Sequence, residues 1–182
     1  MTLIIIILIV AILVLWVISV QRKLVKHEEI CKNGLSQIGV QQASRWDALK
    51  ALAELTKGYS DYEYKTMTDT IAQRRPITAN SNSADANAQE NLFTQALSHL
   101  NVVVEKYPEL KANENYIKTM DSVNTYTDQV RMSQMVYNDS VTKFNQLIRQ
   151  FPDSIVASLF HFVSRDYLQV NEQKTEMPSM KF

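Results

Sequence analysis

The stretch LIIIILIVAILVLWVISV, residues 3–20, runs for eighteen residues without a charge and with one hydroxyl, Ser19. At about 1.5 Å of rise per residue, a helix of that length crosses the ~30 Å hydrocarbon core of a bilayer. In lipid every backbone N–H and C=O must find its partner within the protein, so a single such segment has to be a helix. A cleaved signal peptide would carry a basic n-region, a shorter apolar core and a small-x-small cleavage site. Only Met1 and Thr2 precede this run, Val17-Ile18-Ser19-Val20-Gln21 is a poor site, and Cys31 lies too far on for a lipobox. The segment therefore reads as an uncleaved transmembrane anchor over residues 1–22, with Leu3, Ile7, Val14, Trp16 and Val20 as membrane-contact positions. Arg22, Lys23 and Lys26 follow the run and no basic side chain precedes it. Because Lys and Arg resist translocation, the expected topology is single-pass, with Met1 outside and the rest in the cytoplasm.

The remainder reads as helix. Heptad spacing recurs, and no alternating β pattern bounded by turns appears. In the first soluble segment Leu24, Cys31, Ile38, Arg45 and Leu52 repeat at seven, with Leu35, Gln42, Leu49 and Thr56 four further on, and Trp46 and Leu55 widen the stripe. No stop signal separates this pattern from the anchor, so one helix is expected to run from the membrane into the bundle and on to about residue 75. Gly34, Gly39 and Gly58 fall inside it, each at a cost of about 1 kcal/mol relative to Ala that close helix contact or a kink would offset. The loop PITANSNSA (76–84) ends the segment, and a second helix is expected from Asp85 or Ala86 to Lys106, with Ala88, Leu92, Ala96, Leu100 and Val103 on one face. Pro108 disfavours helical geometry at Tyr107, and Asn113 can cap a third helix.

That third helix carries the strongest pattern: Tyr116, Val123, Val130, Tyr137, Phe144 and Phe151 at seven, interleaved with Met120, Thr127, Gln134, Val141 and Ile148. Gln134 and Thr127 are polar seam positions that pairing with Gln42 or Arg45 would satisfy. Phe151-Pro152 ends it, and IVASLFHFV (155–163) is expected to fold back as a short fourth helix capping the open end. The same stretch is also a candidate contact with membrane or with another subunit, through Ile155, Leu159 and Phe160. The expected fold class is all-α: an N-terminal transmembrane helix continuing into an elongated antiparallel three- to four-helix bundle over 23–168, then a flexible tail over 169–182.

Composition and motif search exclude more than they suggest. Nineteen basic and nineteen acidic side chains balance, so nothing suggests an electrostatic footprint for nucleic acid, and three glycines are too few and scattered for a phosphate loop. A single cysteine rules out an intrachain disulfide framework. His27 and Cys31 stand four apart at a spacing that suits two zinc ligands, but no second His/Cys pair lies near, so a packing cysteine and a surface histidine are the expectation. Asp61, Glu63 and Asp69 read as solvated helix charges. In YSDYEY (59–64) the three tyrosines stand three and two residues apart and cannot all share one helical face. No acid, base and nucleophile can be placed together, and the expectation is no enzyme, no cofactor and no metal.

Three motifs carry a family resemblance. YPELKANENY (107–116) resembles the Y-P-D-L-K-A-N-x-x-F/Y turn of bacterial LemA-family proteins; VYNDSVTKFN (136–145) is similar to their F-Y-N-D-x-V-x-x-Y-N; FPDSIVASLFHF (151–162) is similar to F-P-x-x-x-V-A-x-L-F-G-F. The likeness spans about residues 30–165 in the right order. Ile38-Gly39-Val40-Gln41 stands where the family has I-D-V-Q, only Arg45 remains of an L-K-R-R stretch, and His161 stands in place of a glycine. The resemblance implies a bacterial inner-membrane protein with a long antiparallel bundle. One branch of the family is associated with magnetosome membranes, which implies membrane organisation as a role. The expected partners are the lipid bilayer and further copies of the chain. The expected function is a self-assembling bundle that organises or shapes membrane, with a membrane-tethered adaptor recruiting another membrane or soluble protein as the alternative.

Overall fold

The computed structural model describes residues 1–169 and contains six helices, with no strand among the described residues. The tail expected over 169–182 lies outside them but for Gln169. Helix α1 (Thr2–Thr56) is unbroken from the apolar run to the far end of the bundle, about 82 Å at 1.5 Å per residue. All nine heptad positions from Leu24 to Thr56 are buried, and so is Trp46. The seven-residue spacing works because α1 is paired along its soluble length with one antiparallel partner, α5 (Glu114–Arg149). Leu24 lies with Leu147, Cys31 and Leu35 with Tyr137 and Val141, and Trp46 with Val123.

The first helix does not reach residue 75. It ends at Thr56, the turn Lys57–Tyr59 follows, and α2 (Asp61–Ala72) folds back along α1. Ser60 caps α2 by accepting from the Glu63 N–H at 3.3 Å. The Ser-x-x-Glu spacing at 60–63 is a capping-box signature lying just past Gly58, and it outweighs the helical pattern on either side. Two of the three tyrosines there diverge as their spacing requires: Tyr59 rests against Tyr107 and Tyr64 donates to Glu54.

An irregular connection over 73–82 then crosses α1 and leads to α3 (Ser83–Lys106). Its start is earlier than the expected Asp85, because Asn82 and Asp85 form a reciprocal capping box. The buried stripe of α3 begins with Ala86, Gln89 and Phe93 before joining Ala96, Leu100 and Val103; Ala88 is exposed and Leu92 only half-buried. A single turn, α4 (Pro108–Lys111), buries Leu110, and Asn113 caps α5 as expected, accepting from Asn115 and Tyr116.

Two of the polar seam positions, Arg45 and Thr127, find partners other than those expected. The Arg45 guanidinium makes a two-pronged pair with Glu90 of α3, at 2.9 and 2.6 Å, and stacks over Phe93 at 3.8 Å. Thr127 donates to Val123 within its own helix. Pairing of Arg45 with α5 gives way because an α3 carboxylate offers the fork geometry that a guanidinium matches best.

The bundle thus has two cross-sections. Far from the anchor, α1, α2, α3 and α5 enclose a core of Trp46, Leu52, Met67, Phe93, Leu100 and Val123. Near the anchor only α1 and α5 remain as long helices, closed by α6 (Asp153–Leu159) and the chain that follows it.

Candidate membrane interface

α5 ends where the apolar run of α1 ends, so α6 is delivered to the same level. Val156 and Ala157 of α6 form one cluster with Val20, Leu24 and Leu147, and Trp16, Val17, Ile148 and Phe162 pack around it. Trp16 and Val17 belong to the apolar run itself. Lys23 Nζ meets Asp153 Oδ2 at 3.0 Å across the same junction. The end-capping fourth helix expected from the sequence is therefore present, and the end it closes is the one facing the anchor.

The membrane-contact positions divide. Leu3, Ile7 and Val14 are exposed on the bare part of α1. Trp16 is half-buried, and Val20 is buried at 5 % exposure. Val20 is corrected: its side chain is covered by α6 and α5, because the bundle reaches the last turn of the apolar run. Ile155, Leu159 and Phe160 face away from the cluster, exposed by 56, 65 and 47 %. Phe151 and Val163 are exposed beside them; for Phe151 this departs from the heptad, whose seam ends with α5. Five large apolar side chains thus surround a helix of seven residues that buries only two. Arg22, Lys23 and Lys26 lie on α1 at this level.

α6 stops by a Schellman arrangement: Phe162 N–H donates to Ala157 O at 2.9 Å and His161 N–H to Ser158 O at 3.2 Å. This puts His161 in the left-handed region at φ 58°. Glycine takes that conformation without the Cβ penalty, which is why the similar family motif carries glycine at this place.

After the turn the chain runs back over the α1–α5 pair as an irregular strap, 162–169. Phe162 meets Phe144 edge-on at 6.3 Å, and Leu168 is buried with Cys31, Leu35 and Tyr137. An extended strap on a helix has no ladder to satisfy its backbone. Two asparagines one heptad apart on α5 supply it. Asn145 accepts from Arg165 N–H and donates to Arg165 O, both at 2.9 Å; Asn138 does the same for Leu168 at 2.9 and 3.0 Å. Tyr137 adds a bond to Asp166 O, and Arg165 reaches Glu28 of α1 at 3.1 Å. Both asparagines fall within the VYNDSVTKFN motif. Their spacing of seven beside the apolar seam was the available signal.

The chemistry here is packing and surface contact. Cys31 is fully buried, and burial pushes its thiol above its usual range, with Arg165 opposing. Burial likewise raises the Tyr137 phenol. His27 Nδ1 meets Lys23 O at 2.9 Å, so its ring is engaged along the helix and not with Cys31. No group of three or more metal-ligating side chains occurs among the described residues.

Comparison with known proteins gives two matches. A model described as the LemA family matches residues 34–182, which takes in the strap asparagines and α6 and leaves out the anchor. Protein LemA of Metamycoplasma hominis is 26% identical over 155 residues, covering 84% of this chain and 70% of its own length.

Proposed function

The chain belongs to the LemA family, and on that premise we propose that it acts without catalysis, as a membrane-anchored rod that assembles with copies of itself and thereby organises or shapes the membrane. The observation that carries this reading is the continuity of α1, which joins the apolar anchor to the bundle core with no hinge between them. A rod held this stiffly presents its flanks to neighbours in the same plane, and confinement to a plane raises effective concentration so that weak contacts suffice. Net charge is +0, which removes the self-repulsion that opposes close packing of like rods. The outer face of α5 offers a contact: Met132, Met135 and Val136 are exposed by 59, 50 and 53 % at i, i+3 and i+4. At the rod's foot, Ile155, Leu159 and Phe160 offer a second. In this reading the rod stands in the bacterial inner membrane with Met1 outside, as Arg22, Lys23 and Lys26 favour.

Particle size of the full chain tests it. In mild detergent the protein should run much larger than a dimer, and in liposomes it should cluster. Replacing Met132 and Val136 by Ser, or Leu159 and Phe160 by Ser, should shrink the particle while circular dichroism stays unchanged. A wild-type protein that runs as a monomer and stays dispersed in liposomes refutes self-assembly and leaves the adaptor role. For topology, a cysteine at exposed Asn80 should resist impermeant thiol reagents in intact cells; ready labelling there would reverse the orientation.

A further inference from the structure

The foot of the rod carries apolar side chains that its own fold leaves uncovered. Phe151, Ile155, Leu159, Phe160 and Val163 are exposed, whereas α6 turns Val156 and Ala157 inward onto Val20, Leu24 and Leu147. Ile155 and Leu159, four apart, share one face of α6. The stretch 150–163 holds a single carboxylate and no Lys or Arg. That carboxylate, Asp153, is neutralised by Lys23 at 3.0 Å. A surface so poor in charge suits an apolar neighbour better than water.

The depth of this surface follows from α1, which is unbroken through the junction. Trp16 lies four residues, or about 6 Å, inside the end of the apolar run at Val20. The cluster that buries Val156 and Ala157 contains Val20 and takes in Trp16 and Val17. α6 therefore overlaps the last turn of the apolar run instead of standing clear of it. A bilayer that encloses residues 3–20 reaches the uncovered side of α6 at the same depth. Interfacial apolar segments bury themselves about 5–10 Å into the headgroup and acyl boundary, which this overlap matches. Arg22 and Lys26 of α1, and Arg149 two residues beyond Leu147, are exposed at the same junction. They have no carboxylate partner among the described residues, and basic side chains so placed suit lipid headgroups.

We propose that the foot inserts into the leaflet that the anchor leaves, with Phe151, Ile155, Leu159, Phe160 and Val163 in its headgroup and acyl boundary. Lipid is the occupant because this surface is continuous with the apolar run through Trp16 and Val17. The insertion rests on residues 3–20 spanning a bilayer, and not on self-assembly. A neighbouring copy that touches Leu159 and Phe160 would do so within this layer. A wedge in one leaflet beside the anchor also gives the membrane-shaping role a physical basis.

Cys31 is fully buried, so a fluorophore attached to the folded full-length protein reports a cysteine introduced at an exposed position. In phosphatidylcholine liposomes, a nitrobenzoxadiazole group on Phe151→Cys, Ile155→Cys or Val163→Cys should emit to the blue of the same group on Asn80→Cys. Lipids carrying a nitroxide near the headgroup end of the acyl chain should quench it, and lipids labelled near the chain terminus should quench it less. The Val10→Cys position, in the apolar run, should respond most to the deep label, and Asn80→Cys to neither. Quenching at Val10 without quenching at the three foot positions overturns the insertion and leaves the anchor standing. Blue-shifted emission at the foot without quenching assigns that surface to a second copy and overturns it equally. An unquenched Val10 removes the anchor and the proposal with it.

Discussion

The two ends of the soluble rod reach closure by different physics. In the far half four helices surround Trp46, Phe93 and Leu100, and each helix satisfies its own backbone, so side chains only have to pack. In the half next to the anchor α1 and α5 stand nearly alone. Their third wall is an irregular strap whose backbone must borrow partners from Asn138 and Asn145. A two-helix stalk closed by polar clamps depends on a few bonds, whereas a four-helix core spreads its stability over many contacts. The clamped half is also the half that adjoins the apolar run of α1.

The largest effect expected from testing that contrast is at Phe144, which is buried between α1, α5 and Phe162 of the strap. Phe144→Ala should cost about 3–5 kcal/mol in denaturant unfolding, by lost burial and the cavity left behind. A near-native midpoint would mean the strap is not packed as described. Asn138→Ala and Asn145→Ala each remove a donor and an acceptor from a strap backbone, at about 1–3 kcal/mol apiece. Hydrogen exchange should then rise in 162–169 while α2 and α3 keep their protection; uniform loss along the rod would erase the distinction between halves.

Two glycines of α1 sharpen the comparison. Alanine gains about 1 kcal/mol over glycine in a helix interior. At Gly34 the added Cβ would lie 3.3 Å from the Tyr137 ring, so Gly34→Ala should stay within about 1 kcal/mol of wild type in the same unfolding assay. At Gly39 it meets backbone, and Gly39→Ala should destabilise by about 1–2 kcal/mol and free the 73–82 connection to exchange. Equal effects at the two sites would mean that the connection does not rest on α1.

Alkaline titration should also separate the halves. Cys31 and Tyr137 in the anchor-side cluster, and Tyr116 in the far one, are all raised by burial above 9.0, 10.0 and 10.0 respectively. A raised folded pKa leaves stability whole below the unfolded value and removes it as pH climbs past that value. Stability should therefore hold to about pH 9 and then fall, with Cys31→Ser removing the earliest part of the decline. No change in midpoint between pH 8 and 10.5 would contradict this. The smallest effect is a gain: His161→Gly relieves the left-handed residue after α6 and should raise stability by about 0.5–1 kcal/mol, read as a higher melting temperature.

Much of this was legible in the residues because heptads report one-dimensional pairing. Every seam position of α1 from Leu24 to Thr56 is buried, and the Asn113 cap needs only its own next turn. The break at 57–60 was also written locally, in Ser60 and Glu63, but a long apolar period on both sides masked it. Other features could not be read from spacing. Arg45 chose Glu90 over an α5 partner because the fold brings a third helix within reach of its guanidinium. Val20 is buried because α5 happens to end level with the apolar run and α6 folds over it. The seating of the 73–82 connection on α1 exists only because residues thirty-eight positions apart, Gly39 and Ile77, touch backbone to backbone. Periodicity determined which helix faces are buried, since 3.6 residues per turn is a property of the chain itself. What covers each face was decided by tertiary structure, because the covering group arrives from far along the sequence and leaves no mark on the residues it covers.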